Sequence, residues 1–280
     1  MTASPLISVT ELRSLLQAGS AVQLLDVRYR LGFSDGRKLY EAGHIPGAIY
    51  VDLDSELAGH GAPDEGRHPL PAHASLQDSA RRWGVKDGET VVVYDDARML
   101  PASRAWWALR RTGVDVRLLD GGWGAWRAAD GEVETGDCTA VPGNVTLADP
   151  TESDAIDTAH AAAWPTHGVL LDARTPERYR GETEPIDPIA GHIPGAGNLP
   201  IGEVLTPDGH FRSASEIDAA FIACGAGTAT ATAAYCGSGV TAAQLALAGA
   251  ITGRQVAVYV GSWSAWSNTP GLPVATGDEN

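Results

Sequence analysis

The run Leu24-Leu25-Asp26-Val27-Arg28 returns as Leu170-Leu171-Asp172-Ala173-Arg174, and GHIPGA at 43–48 returns at 191–196. Two further pairs keep the same order: VVVYDD at 91–96 parallels AAYCGS at 233–238, and Gly121-Gly122-Trp123 with Trp126 parallels Gly261-Ser262-Trp263 with Trp266. Four landmarks repeated in order mark an internal duplication, and a duplicated unit sets the domain count. At 280 residues the chain suits two domains, each long enough to bury its own core.

Within each copy, short apolar runs rich in Val and Leu read as strands: 22–27, 91–94 and 116–119 in the first, 169–172, 230–235 and 256–260 in the second. They do not alternate polar with apolar, which indicates burial on both faces. Helix-forming stretches such as 103–111 and 240–250 lie between them. Alternation of strand and helix predicts an α/β fold in which each domain is a parallel sheet flanked by helices. The stretch 136–150, with its prolines and glycines and little periodicity, reads as the connection. The expected division is a first domain at 1–140, a linker at 141–150 and a second domain at 151–280.

Hydrophobic residues make up 44% of the chain and charged residues 20%, the balance of an ordinary globular protein. The net charge is −15, from 20 basic and 35 acidic side chains, so nucleic acid and anionic membranes are poor partners. An anionic substrate would have to be held by local devices, a helix N-terminus or a placed arginine. The opening MTASPLISVTELRSLLQ has no basic start followed by an apolar core, and no apolar run is long enough to cross a bilayer. The expectation is a cytoplasmic protein. Cys138, Cys224 and Cys236 are too few for a disulfide framework and fit no zinc spacing, so no metal is expected.

The chemistry concentrates at 232–249, TAAYCGSGVTAAQLALAG, where an apolar strand hands over to a helix through Cys236 and a glycine-containing turn. Such a turn points successive N–H groups into a bowl, and the helix dipole adds partial positive charge. Gly237, Gly239, Val240 and Thr241 would line that bowl. It suits a negatively charged sulfur, whether an attacking thiolate or an anionic persulfide. Nothing similar surrounds Cys138 or Cys224. A cysteine-based phosphatase would need an arginine six positions after the cysteine to clamp phosphate, and that position is Ala242. A persulfide sensor without turnover is the other alternative.

These residues resemble the tandem rhodanese family over nearly the whole chain. LLDVR, GHIPGA, VVVYDD and LLDGGWGAW in the first half, and LLDAR, GHIPGA, YCGSGVTA and VGSWSAW in the second, are its pattern of two rhodanese-like domains. CGSGVTA is similar to the active loop of the 3-mercaptopyruvate sulfurtransferase branch. The resemblance implies a catalytic second domain, an inactive first domain with Asp95 in the cysteine's place, and a substrate site between them. It further implies a proton relay of Ser238, His68 in RHPLP and Asp54 in YVDLD, and a substrate contact from Arg178 in ERYRG, with Arg180 close by. The branch's second arginine has no counterpart in ETEPIDPIA at 182–190. Thiosulfate-preferring members carry a more basic loop of the type CRKGVTA, and Gly237 and Ser238 here favour 3-mercaptopyruvate over thiosulfate. The expected acceptor is thioredoxin, another small thiol or cyanide, with no metal or organic cofactor. His44, His192, Asp26, Asp172, Trp123 and Trp263 belong to motifs present in both halves, including the half without the cysteine, and are expected to be structural.

Overall fold

The computed structural model describes residues 4–32, 35–150, 152–227 and 230–278. The chain forms two compact units. One comprises Met1–Gly59, Pro71–Pro150 and Asp208–His210; the other comprises His60–Leu70, Thr151–Pro207 and Phe211–Asn280. The main change of unit falls at Pro150–Thr151. Two exchanges do not follow from it: residues 60–70, inside the first repeat, pack in the second unit, and 208–210 pack in the first.

The first unit holds a five-stranded sheet of β1 (Leu6–Ile7), β2 (Val22–Asp26), β3 (Ile49–Tyr50), β4 (Thr90–Tyr94) and β5 (Val116–Leu119), in the order β1-β5-β4-β2-β3. The second repeats it with β6 (Ala155–Ile156), β7 (Val169–Asp172), β8 (Gly197–Asn198), β9 (Thr232–Tyr235) and β10 (Val256–Tyr259), in the order β6-β10-β9-β7-β8. Every strand pair is parallel. The central strands are buried along their length, as in β9 with Thr232, Ala233, Ala234 and Tyr235 all buried, which is why no alternation marks them in the sequence. The two-residue strands β1, β3, β6 and β8 are too short to carry any periodicity and escape the sequence reading.

The repeated motifs make the same contacts in both sheets. Arg28 donates to both oxygens of Asp26, and from Nη2 to the Gly43 carbonyl at 2.7 Å. Arg174 does the same with Asp172 and the Gly191 carbonyl, at 2.6 Å. All four side chains are buried, so each ion pair is compensated by geometry and by the added carbonyl rather than by water. His44 and His192 are fully buried, with Nδ1 on the carbonyls of Tyr40 and Tyr179.

In each sheet the chain leaves β2 or β7 toward one edge and leaves β4 or β9 toward the other. The switch point therefore lies between the carboxyl ends of those two strands, the place where open parallel sheets bind ligands. Asp95 stands at that end of β4, and Cys236 at that end of β9.

Candidate active site

Cys236 directly follows β9, and three residues later the helix Val240–Ile251 begins, its N-cap Gly239 in the left-handed region at φ +78°. The thiol is 2% exposed, and the Gly239 N–H points at Sγ over 3.1 Å. Val240, at the first helical position, is buried, and Thr241 is half-buried beside it. The bowl that the sequence implied thus has an amide aimed at sulfur and the positive end of a helix beneath it.

The loop is pinned from the turn after β10. Ser262 accepts a hydrogen bond from the Cys236 N–H at 3.1 Å and donates to the Tyr259 carbonyl at 2.8 Å. The Trp263 N–H donates to the Cys236 carbonyl and the Ser264 N–H to the Gly237 carbonyl, both at 2.9 Å. Ser262 does this with φ +54°, a conformation costing of order 1–3 kcal/mol for a residue with a side chain. Its counterpart Gly122 takes φ +55°, and there a Cβ would meet the Asp95 carbonyl at 2.4 Å. Neither Ser262 nor Ser264 stood out in the sequence; the departure from Gly to Ser at the second position of the GGW repeat was the available signal.

The segment 60–70 brings two more side chains to this loop within the second unit. His68, buried, places Nδ1 2.8 Å from Ser238 Oγ. Arg67 donates its backbone N–H to Ser264 Oγ at 3.0 Å. Its side chain reaches Gly237, where a Cβ would lie 3.1 Å from Arg67 Nη2 and 3.6 and 3.7 Å from Arg178 Nη1 and Nη2. Arg67 is ion-paired through Nη1 to Asp187. Arg178 is bound to Glu184 through Nε at 3.2 Å and Nη2 at 2.6 Å, with Asp187 Oδ2 3.4 Å from Nη2. Burial pushes Asp187 above the ordinary carboxylate range, against the pull of Arg67. Burial also works against Glu184, but the hydrogen bond from Arg178 and the N–H groups of Asp187 and Ile186 outweigh it and hold Glu184 low.

Of the residues singled out in the sequence, Cys236, Gly237, Ser238, Gly239, His68 and Arg178 come together. Arg180 is turned to Glu182, with Nε to Oε1 at 2.7 Å, and to Asp278; it does not join Arg178 at Gly237. Asp54 belongs to the first unit, exposed in the first turn of the helix Leu53–Glu56. Arg67 went unnoticed because nothing local distinguishes an arginine in a polar loop.

The other two thiols differ in kind. Cys224 ends the helix Ala214–Ala223 and is pushed up by burial. Cys138 is likewise pushed up, by burial first and then by Glu134, so it is held as a thiol. Among the described residues, His44, Glu134 and Cys138 are close enough to gather a metal ion, but their hydrogen bonds already account for the grouping, with His44 Nε2 3.3 Å from Cys138 Sγ.

The first unit carries an internal comparison. Asp95, 1% exposed, fills its own bowl with a carboxylate that accepts N–H groups of Ala97 at 2.7 Å and of Met99 and Ala102 at 2.9 Å. Burial raises it to about 7 despite those three donors. The amides of this bowl are already occupied by a carboxyl group, which cannot accept sulfur.

Comparison with known proteins gives a consistent picture. Residues 8–129 and 155–269 each match the rhodanese-like domain. The chain is 46% identical over 275 residues to a Mycobacterium tuberculosis protein provisionally named thiosulfate sulfurtransferase SseB, covering 97% of each. It is 33% identical over 261 residues to the 3-mercaptopyruvate sulfurtransferase of Escherichia coli, covering 90% of this chain and 92% of that one. The crystal structure of SseA from Escherichia coli, described as a 3-mercaptopyruvate sulfotransferase, superposes with a TM-score of 0.83 at 30% identity, over 93% of this chain and 99% of that one.

Proposed function

The chain belongs to the rhodanese family and is a sulfurtransferase, and from that premise we propose that it moves sulfur from 3-mercaptopyruvate to a thiol through a persulfide on Cys236. The observation that carries this is the Gly239 N–H aimed at Cys236 Sγ at the start of a buried helix. Asp95 supports it from the other repeat, since the same bowl there directs three amides at a carboxyl group.

The Cys236 thiolate attacks the donor sulfur. An S–S bond forms, the donor C–S bond breaks, and its electron pair goes to the carbon as the enolate of pyruvate. The donor's thiol proton ends on that carbon, leaving pyruvate and the Cys236 persulfide anion. We read Ser238, hydrogen-bonded to His68, as the group that passes the proton, with Asp54 the third member that the family resemblance implies. An acceptor thiolate, of thioredoxin or a smaller thiol, or cyanide, then takes the outer sulfur and returns the Cys236 thiolate. This requires reduced cysteine, as in the cytoplasm, and no metal or organic cofactor. In this scheme the second unit is catalytic and the first is its inactive duplicate.

Thiosulfate is the second reading, favoured by the name of the Mycobacterium tuberculosis relative. The small loop of Gly237 and Ser238 argues against it, because a dianion has less positive charge to meet there than in a loop with two basic side chains.

The decisive experiment follows pyruvate, sulfide and protein mass with mercaptopyruvate or thiosulfate as donor. The wild type gains one sulfur atom from mercaptopyruvate and shows ping-pong kinetics; Cys236→Ser gains none and releases no sulfide. His68→Gln lowers turnover by about 10²–10⁴ if it serves proton transfer. Donor-dependent sulfide from Cys236→Ser refutes the reading, and faster turnover of thiosulfate reverses the donor assignment.

A further inference from the structure

We propose that Arg67 is a substrate-binding residue, forming with Arg178 a two-guanidinium clamp that reads the carboxylate of an α-keto acid donor. The inference rests on Cys236 being the sulfur carrier, and it adds a residue that neither the loop motif nor the arginines preceding the second GHIPGA indicate.

Position 237 is where the two side chains meet. Arg67 Nη2 and both Nη atoms of Arg178 surround the space a Cβ would take, 3.1 to 3.7 Å from it. That residue directly follows Cys236 in the loop, so both guanidinium groups stand beside the neighbour of the sulfur carrier. The proposed donor carries its carboxylate two carbons from its thiol, which lets one end face the arginines and the other face Cys236.

Both guanidinium groups are held from behind. Glu184 and Asp187 have side chains 2% and 1% exposed, and Glu184 is fixed by the N–H groups of Ile186 and Asp187 at 3.1 Å. Their bonds use Arg67 Nη1 and Arg178 Nε and Nη2. Arg67 Nη2 and Arg178 Nη1 are the ends turned toward Gly237. Planar donors fixed in advance match a planar carboxylate and lose little freedom on binding it. The two carboxylates also neutralise most of the pair's charge, which makes it a better host for one negative charge than for two. The sequence 182–190 contains no arginine, and the second cation comes instead from residue 67, supplied by a segment distant in the chain but part of the same unit.

The test uses the full chain with two donors, 3-mercaptopyruvate and mercaptoacetone, in which a methyl group replaces the carboxylate. Arg67→Met should raise KM for mercaptopyruvate about tenfold to a hundredfold, the worth of a hydrogen bond to a charged group, with kcat little changed. Its kcat/KM for mercaptoacetone should stay at the wild-type value, and Arg67→Lys should recover part of the loss for mercaptopyruvate alone. Equal losses on both donors would show that Arg67 only holds Asp187 and the loop, and would overturn the proposal. So would a loss confined to mercaptoacetone. If the wild type transfers sulfur from neither donor and Cys236 gains none, the reading beneath it fails instead, a result the variants cannot mimic. Should Arg67→Met not fold, the Lys variant makes the same comparison between donors.

Discussion

Ser262 shows how much one residue contributes to this site. It takes the left-handed backbone that its counterpart Gly122 also takes, and adds a hydroxyl that accepts the buried Cys236 N–H. Two substitutions separate strain from hydrogen bonding. Ser262→Ala retains the strained conformation and loses the acceptor, an expected cost of about 1–3 kcal/mol. Ser262→Gly also loses the acceptor but relieves the strain, so it should be the more stable of the two. Both should slow persulfide formation through a looser loop. Urea midpoints together with single-turnover mass spectrometry check this, and an Ala variant as stable as the Gly variant would contradict it. Cys236 was singled out by its own loop of small residues, whereas Ser238 and His68 were named only through the family resemblance. Ser262, Ser264 and Arg67 were not legible, since their roles come from what packs beside them.

The strand, turn and helix around residue 95 and those around residue 236 are one element used twice. In both, the tryptophan after the turn donates its backbone N–H to the carbonyl of the key residue, Trp123 to Asp95 at 2.8 Å and Trp263 to Cys236 at 2.9 Å. The element presents amides to a negative group, and the residue at the strand end decides whether that group can carry sulfur. Asp95 makes the cost of burying charge measurable. Its folded value of about 7 exceeds the ordinary 3.8, so the folded state binds this proton more tightly than the unfolded chain does. Its stabilising contribution is complete below about 3.8 and is lost as pH rises through about 7. The stability of the wild type relative to Asp95→Asn should therefore fall between about pH 4 and pH 8 and level off above that range. Denaturant midpoints of both proteins across the range measure it, and a pH-independent difference would mean that Asp95 is not driven by burial. Arg180 belongs at this scale too. It caps the helix Pro176–Tyr179 two residues after Arg178, yet the fold commits it to Glu182 and Asp278.

For the chain as a whole, the division into units matters more than the linker. Residues 60–70 lie in the first repeat by sequence and in the second unit by packing, and they bring His68 to Ser238 and Arg67 to Gly237. A fragment comprising only residues 151–280 contains Cys236 and every residue of its loop but lacks this segment. It should fail to release sulfide from mercaptopyruvate, and soluble fragment with the full chain's kcat/KM would refute the importance given to the segment. The net charge of −15 acts at the same scale, leaving recognition of an anionic donor to local groups.

Sequence by itself determined the duplication, the parallel α/β class, the strand-to-helix turn at Cys236 and the replacement of that cysteine by Asp95 in the other copy. Each of these is written in local order, as apolar runs, turn residues and the spacing of repeated motifs. Only the tertiary structure decided that residues 60–70 join the second unit, that Arg67 meets Arg178 over Gly237, that Arg180 turns away, and that Ser262 supports the Cys236 amide. These depend on which distant segments share a packed interior. No pattern within a short window carries that information, because the chain between two contacting residues leaves their meeting unspecified until the core has formed.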